Sequence, residues 1–138
     1  MSRAAPRIPR EIIKARRKPN PRRQVEHRKF VAAIGICLGC GSEGPCEAAH
    51  IRNNTDGGVG LKPNDRFTVP LGSISNCGCH ARQHRIGELS FWGQVGIDPL
   101  DVACRLWTVS GDVEAGRVTV FKARQRARLR LMENADAR

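Results

Sequence analysis

The sequence predicts a small α+β domain, and three observations carry that reading. Its 138 residues are one domain's worth of chain. Two short strand-like stretches, EAAHIR and FTVPL, flank a loop rich in Asn, Asp and Gly. Segments with helical spacing stand on both sides of that pair. A β-hairpin with helices packed around it satisfies all three.

Residues 1–23 hold nine basic residues and four prolines. Proline lacks a backbone donor and is excluded from helix interiors, so a flexible basic arm is expected, with one helical turn at Glu11–Arg17. Gln24–Ile34 puts Val25, Phe30, Ala33 and Ile34 on roughly one face, a short helix that Gly35 ends. CLGCGSEGPC, starting at Cys37, is a tight Gly-rich knuckle. EAAHIR is the first strand, NNTDGGVG a loop with strong turn chemistry, and FTVPL the second strand. After the small polar GSISNCG, the stretch CHARQHRIGELSFW reads as one helix. Asp98-Pro99 opens another, PLDVACRLWTVS, with Leu100, Ala103, Leu106 and Trp107 on one face and Pro99 in the first turn. Residues 112–133 admit two readings. Asp112 can cap a helix that Ala and Arg favour, whereas RARLRL alternates with the period of a strand; helix is preferred. The organisation is thus an arm (1–23), a folded domain (24–110) and a basic C-terminal helix or tail (111–138).

A hydrophobic fraction of 40%, with four Phe, two Trp and no Tyr, fills a modest core and leaves the ends less ordered. No apolar run approaches the roughly 18 residues that span a bilayer, and the basic N-terminus lacks the apolar stretch of a secretory signal. A cytoplasmic protein with no membrane partner is expected. The net charge of +11 is unevenly spread. Residues 1–30 hold eleven Lys and Arg against two acids, and residues 111–138 hold seven against four. The stretch between has six against seven. Two cationic ends on a near-neutral middle suit a polyanion, because each neutralised phosphate releases a counterion. A solvated tail or an arm on acidic lipid would show the same charge.

Chemistry concentrates in the histidines and cysteines. His80 and His84, at i and i+4 on the expected helix, project from one face and can share a metal ion; otherwise they are two solvent-facing rings. Six cysteines in a chain of this kind argue for metal or plain thiols over disulfides. The two-residue spacer of Cys37 and Cys40 lets both thiolates reach one tetrahedral ion, although a CxxC also serves as a redox pair. Cys77 and Cys79 lie just before the helix, and the four can close one structural zinc site. Their CxC spacing is irregular, and Cys46 can replace one of them. His50 lies on the first strand, where a lone histidine is more often structural than catalytic; at a hairpin edge facing the helix pair it can activate a water beside a metal-bound phosphate.

The order C37-x-x-C40, A49-H50-I51, G60-x-K62-P63-x-D65, V69-P70-L71 and C79-H80-x3-H84 resembles HNH endonucleases of the ββα-metal, or His-Me finger, superfamily. It is most similar to small phage and prophage HNH-type proteins, including Ref-like recombination nucleases, over residues 25–108. The resemblance implies a ββα-metal core and an HNH-like nuclease domain at 24–110, with His50 as general base. It implies His80 and His84 as metal ligands, and Asp65 as a ligand or as the group that orients the base. Arg52 and Lys62 become phosphate contacts, joined in DNA binding by Arg82 and Arg85. Cys37, Cys40, Cys77 and Cys79 correspond to the structural zinc of some members. Three departures stand out: Ala49 where many relatives have Asp or His, Gly72 where a cysteine follows Pro-Leu, and an insecure position for the usual Asn among Asn64, Asp65 and Phe67. They bear on catalysis more than on the fold.

The function expected is metal-dependent hydrolysis of DNA phosphodiesters with low sequence specificity, in a protein of phage or prophage origin. The catalytic ion is Mn, Mg, Ni or Zn. Imidazole ligands suit Mn, Ni, Co or Zn better than Mg, so activity in Mn should exceed that in Mg. Basic residues without interleaved aromatics suit duplex backbone better than stacked single strands. A recombination partner protein is a further expectation of the resemblance. The alternative is a non-catalytic zinc-containing DNA-binding module, which Ala49 favours. An interaction protein gripping a partner through Trp92, Leu106 and Trp107 is a third reading, against which stands their place in a helical core.

Overall fold

A computed structural model describes residues 20–58 and 60–137. The expected turn at Glu11–Arg17, and the arm up to residue 19, lie outside the described residues. The elements run α1 (Val25–Ala33), β1 (Cys46–His50), β2 (Thr68–Gly72), α2 (Cys79–Ile86), α3 (Glu88–Val95), α4 (Pro99–Thr108) and α5 (Val113–Asp136). The fold is α+β: one antiparallel hairpin among five helices. No helix of the described residues is long and apolar enough to cross a membrane.

The hairpin pairs Cys46 with Gly72 at one end and His50 with Thr68 at the other. Every residue of β2 is buried, because helices cover it and the knuckle closes its outer edge. There Leu38 N donates to Pro70 O at 2.8 Å. Proline offers no N–H, so it fits a strand only where no partner requires one. The core gathers Val31 from α1 and Ile34 at its C-terminal cap, Val69 and Leu71 from β2, Phe91 from α3, Leu106 from α4 and Val120 from α5, all fully buried. Each such side chain contributes about 1.5–3 kcal/mol relative to exposure.

Local chemistry sets the helix ends. Asp98 accepts from Leu100 N and Asp112 from Ala115 N, capping α4 and α5. The stretch 112–133 is therefore helical, and RARLRL continues it. Gly116, Val120, Ala123 and Ala127 form the buried face of α5, at the 3- and 4-residue spacing of a helix on a core. Arg117 Nη1 donates to Ile34 O and Arg124 Nη1 to Leu38 O, so two cations of the basic C-terminal segment brace the helix against the end of α1 and the knuckle. The stretch expected as one helix from Cys79 to Trp92 is two. Gly87, at φ +90°, ends α2 and starts α3 in a new direction. Of the three side chains weighed as a gripping surface, Trp92 and Leu106 are core, while Trp107 is 37% exposed.

Candidate functional site

His50 closes β1 and opens towards α2. Its Nε2 lies 2.7 Å from Asp65 Oδ1. Asp65, in the loop before β2, is fully buried. The same Oδ1 accepts from Arg23 Nη1 at 3.1 Å. Oδ2 accepts from Gln24 N at 2.8 Å and lies 3.0 Å from Arg28 Nε. Asp65 therefore stands behind His50, both oxygens engaged by the start of α1, and orients the ring. With Nε2–H donating to the carboxylate, His50 Nδ1 holds the lone pair. Burial works against ionisation of Asp65, but the His50 hydrogen bond, the Gln24 amide and the Arg28 charge outweigh it and keep its pKa below the ordinary value. Burial also lowers the His50 pKa; Asp65 offsets this only in part, and Arg23 and Lys62 push the same way as burial.

His80 sits in the first turn of α2 and His84 one turn later. Their Nε2 atoms are 3.2 Å apart, and the ring centroids 4.9 Å. An ion bound to two imidazoles at about 2.0–2.1 Å with tetrahedral angles places the nitrogens about 3.3 Å apart, so the pair fits such an ion. His50, His80 and His84 line one cleft of about 480 Å³, together with Arg28, Arg52 and Lys62. The two rings thus share one face of α2, as their i, i+4 spacing predicts, and that face lines the cleft. Arg52 is held at the cleft rim because Glu88 accepts its backbone N–H at 2.9 Å. Arg82 and Arg85 are on α2 but outside the cleft lining. The Arg82 guanidinium stacks on Phe91, 5.7 Å from the ring centroid, and donates to Gln94.

The second constellation is sulfur. Cys37 and Cys40 in the knuckle, with Cys77 and Cys79 before and at the start of α2, bring their Sγ atoms within 4.8 Å of one another. A tetrahedral ion with metal–sulfur bonds of about 2.3 Å separates its sulfurs by about 3.8 Å, so these four cysteines can hold a metal ion such as zinc. Cys46 stands outside the set. Burial raises the Cys37 and Cys79 thiols. Burial raises Cys46 to about 12, with the neighbouring sulfurs adding to it. Cys40 differs: burial opposes its ionisation, but hydrogen bonds with Ser42 and the neighbouring thiols bring it down to about 7. Among the described residues, no other three Cys, His, Asp or Glu bring one ligand atom each so close together.

Comparison with protein-family models, with curated proteins and with solved structures gives no match.

Arg28 and Glu47 line the cleft and escape a reading of the sequence. Arg28 lies 37 positions from Asp65, with no local pattern to pair them. Glu47 shares a short strand with His50, but nothing in EAAH distinguishes a cleft carboxylate from a solvated one.

Proposed function

We propose that the protein is a metal-dependent DNA endonuclease of HNH type. The supporting observation is the arrangement of the cleft: an imidazole tied through Nε2 to a buried carboxylate, opposite two imidazoles whose Nε2 atoms face each other 3.2 Å apart. His50 serves as general base. Its Nδ1 takes a proton from a water that attacks phosphorus, the P–O3′ bond breaks, and the 3′ oxygen leaves and is protonated by solvent. Asp65 holds the ring and stabilises the imidazolium that forms. His80 and His84 would hold a divalent ion, which supplies positive charge against the phosphate and the leaving oxygen when bound. Arg28, Arg52 and Lys62 bind the phosphate backbone. Zinc on Cys37, Cys40, Cys77 and Cys79 is structural, joining the knuckle to the start of α2. A plasmid-nicking assay in Mn tests the reading: wild type converts supercoiled DNA to open circles and His50→Ala does not. Equal nicking by both removes the base.

A second reading is a non-catalytic DNA-binding module stabilised by zinc. The observation in its favour is that the cysteines are the tightest ligand set among the described residues, whereas the three imidazoles share a cleft without closing to that spacing. Ala49, fully buried, offers the cleft no ligand. Protein that shifts DNA and leaves supercoiled plasmid intact in Mn, Ni, Co, Zn and Mg selects this reading.

A further inference from the structure

Both ring nitrogens of His80 have a neighbour. Nε2 faces His84 Nε2 at 3.2 Å, and Nδ1 lies 3.4 Å from Glu47 Oε1. Glu47 comes from β1 and His80 from α2, so the contact crosses the cleft that the hairpin and helix enclose. A neutral imidazole carries one proton, and the neighbour of one nitrogen decides which. A carboxylate beside Nδ1 favours the proton there, because nearby negative charge stabilises the N–H dipole, and a small movement of Glu47 turns the 3.4 Å approach into a hydrogen bond. Nε2 is then the lone-pair nitrogen, and it is already turned towards His84. Histidines that bind metal through one nitrogen commonly donate the other N–H to a carboxylate, which fixes the tautomer and raises the basicity of the ligand. The Glu47 side chain is 55% exposed against 21% for His80, so it is free to close on Nδ1 without repacking the core.

We propose that Glu47 is the positioning residue of the histidine pair, holding the His80 proton on Nδ1 so that His80 Nε2 and His84 Nε2 together meet a divalent transition-metal ion. The inference rests on the assignment of His80 and His84 as ligands, and it adds a residue to that site. Glu47 touches neither the phosphate nor the water. Its effect is on the affinity for the ion and, through that, on the rate.

The experiment is a calorimetric titration of zinc-loaded, full-length protein with Ni²⁺, run on wild type, Glu47→Ala, Glu47→Gln and the His80→Ala/His84→Ala double variant. Wild type takes up one Ni²⁺ per chain. Glu47→Ala weakens that binding by roughly 10–100-fold. Glu47→Gln stays within about 3-fold of wild type, because its amide oxygen still accepts from Nδ1–H. The nitrogen-15 shifts of the His80 ring in metal-free protein move towards the Nε2–H tautomer in Glu47→Ala and not in Glu47→Gln. Unchanged Ni²⁺ affinity in Glu47→Ala, while the double variant loses the ion, overturns the role of Glu47 and leaves the ligands standing. Failure of wild type to bind Ni²⁺, or binding by the double variant equal to wild type, overturns the histidine site and the inference with it.

Discussion

The Cys77 thiol fills the space that a side chain at Gly72 would need: a Cβ built on Gly72 would collide with Cys77 Sγ. The sulfur delivered from position 77 thus stands against the strand end where the HNH pattern places a cysteine after Pro-Leu. Gly72→Ala should push Cys77 out of the cluster. We expect zinc content to fall from about one ion per chain to well below half in Gly72→Ala and in Cys77→Ser, measured by metal analysis after dialysis. Full zinc in Cys77→Ser would mean that Cys77 is not a ligand.

The link from Asp65 to His50 gives a second test. In Asp65→Asn the amide offers N–H or oxygen where His50 needs an acceptor and Arg23 and Arg28 need a negative charge. Nicking should drop on the order of 10²–10⁴-fold, the scale of a general-base contribution, with DNA affinity nearly unchanged. Folding stability should fall by about 2 kcal/mol. That is less than the roughly 3–5 kcal/mol of a fully buried pair, because the Arg23 and Arg28 side chains are 32% and 42% exposed and solvent screens them. Denaturant unfolding and the nicking rate measure the two losses separately.

The pH profile of nicking follows from the lowered His50 pKa, which burial causes and Asp65 only partly offsets. The base must be unprotonated. On the nuclease reading the rate should therefore be above half its plateau at pH 6.5, with an apparent pKa under the ordinary histidine value of about 6.5. A half-maximal rate reached only at or above about pH 7 would contradict this.

His27 makes stability depend on pH. It is buried between Phe30 and Trp107, with Nδ1 2.7 Å from Ser110 Oγ and no partner at Nε2. Burial lowers its pKa, with Asp65 working weakly the other way. The unfolded chain then binds a proton more readily than the folded one, so stability rises with pH between the folded value and about 6.5. Acidification from pH 7 to 5 should lower the melting temperature of wild type more than that of His27→Phe. Parallel curves for the two proteins would assign the acid sensitivity elsewhere.

Arg28, Arg52 and Lys62 should each show in the salt dependence of DNA binding. Replacing one of them by Gln should flatten the slope of log K against log salt by about 0.9, the value for one lost phosphate contact. Arg85→Gln, outside the cleft, should change the slope less. Equal changes at all four positions would spread the interface over the whole surface.

Much of this was readable in the chain, and the parts that were not share a physical reason. The Asp98 and Asp112 caps were legible because cap chemistry is settled within three residues. The hairpin strands were legible from their bounding turn residues, and the His80–His84 face from helical spacing. Gly87 was passed over because a glycine inside an apolar-spaced run does not announce its φ. The partners of Asp65 arrive from Arg23, Gln24 and Arg28, some forty positions away, and no local pattern records that meeting. Much of the basic charge also reads differently in three dimensions. Arg22 binds Asp56, Arg117 binds Glu43, and Arg124 holds a backbone carbonyl, so the number of Lys and Arg side chains overstates how many are free to reach a polyanion.

Cys79 and His80 are consecutive residues in the first turn of α2, one facing the sulfur cluster and the other the cleft. On the nuclease reading this single peptide bond makes the thiols the footing of the imidazoles. An oxidant that crosslinks the sulfurs would then abolish cutting while the arginine-rich surface still held DNA, leaving a protein that occupies its substrate without breaking it.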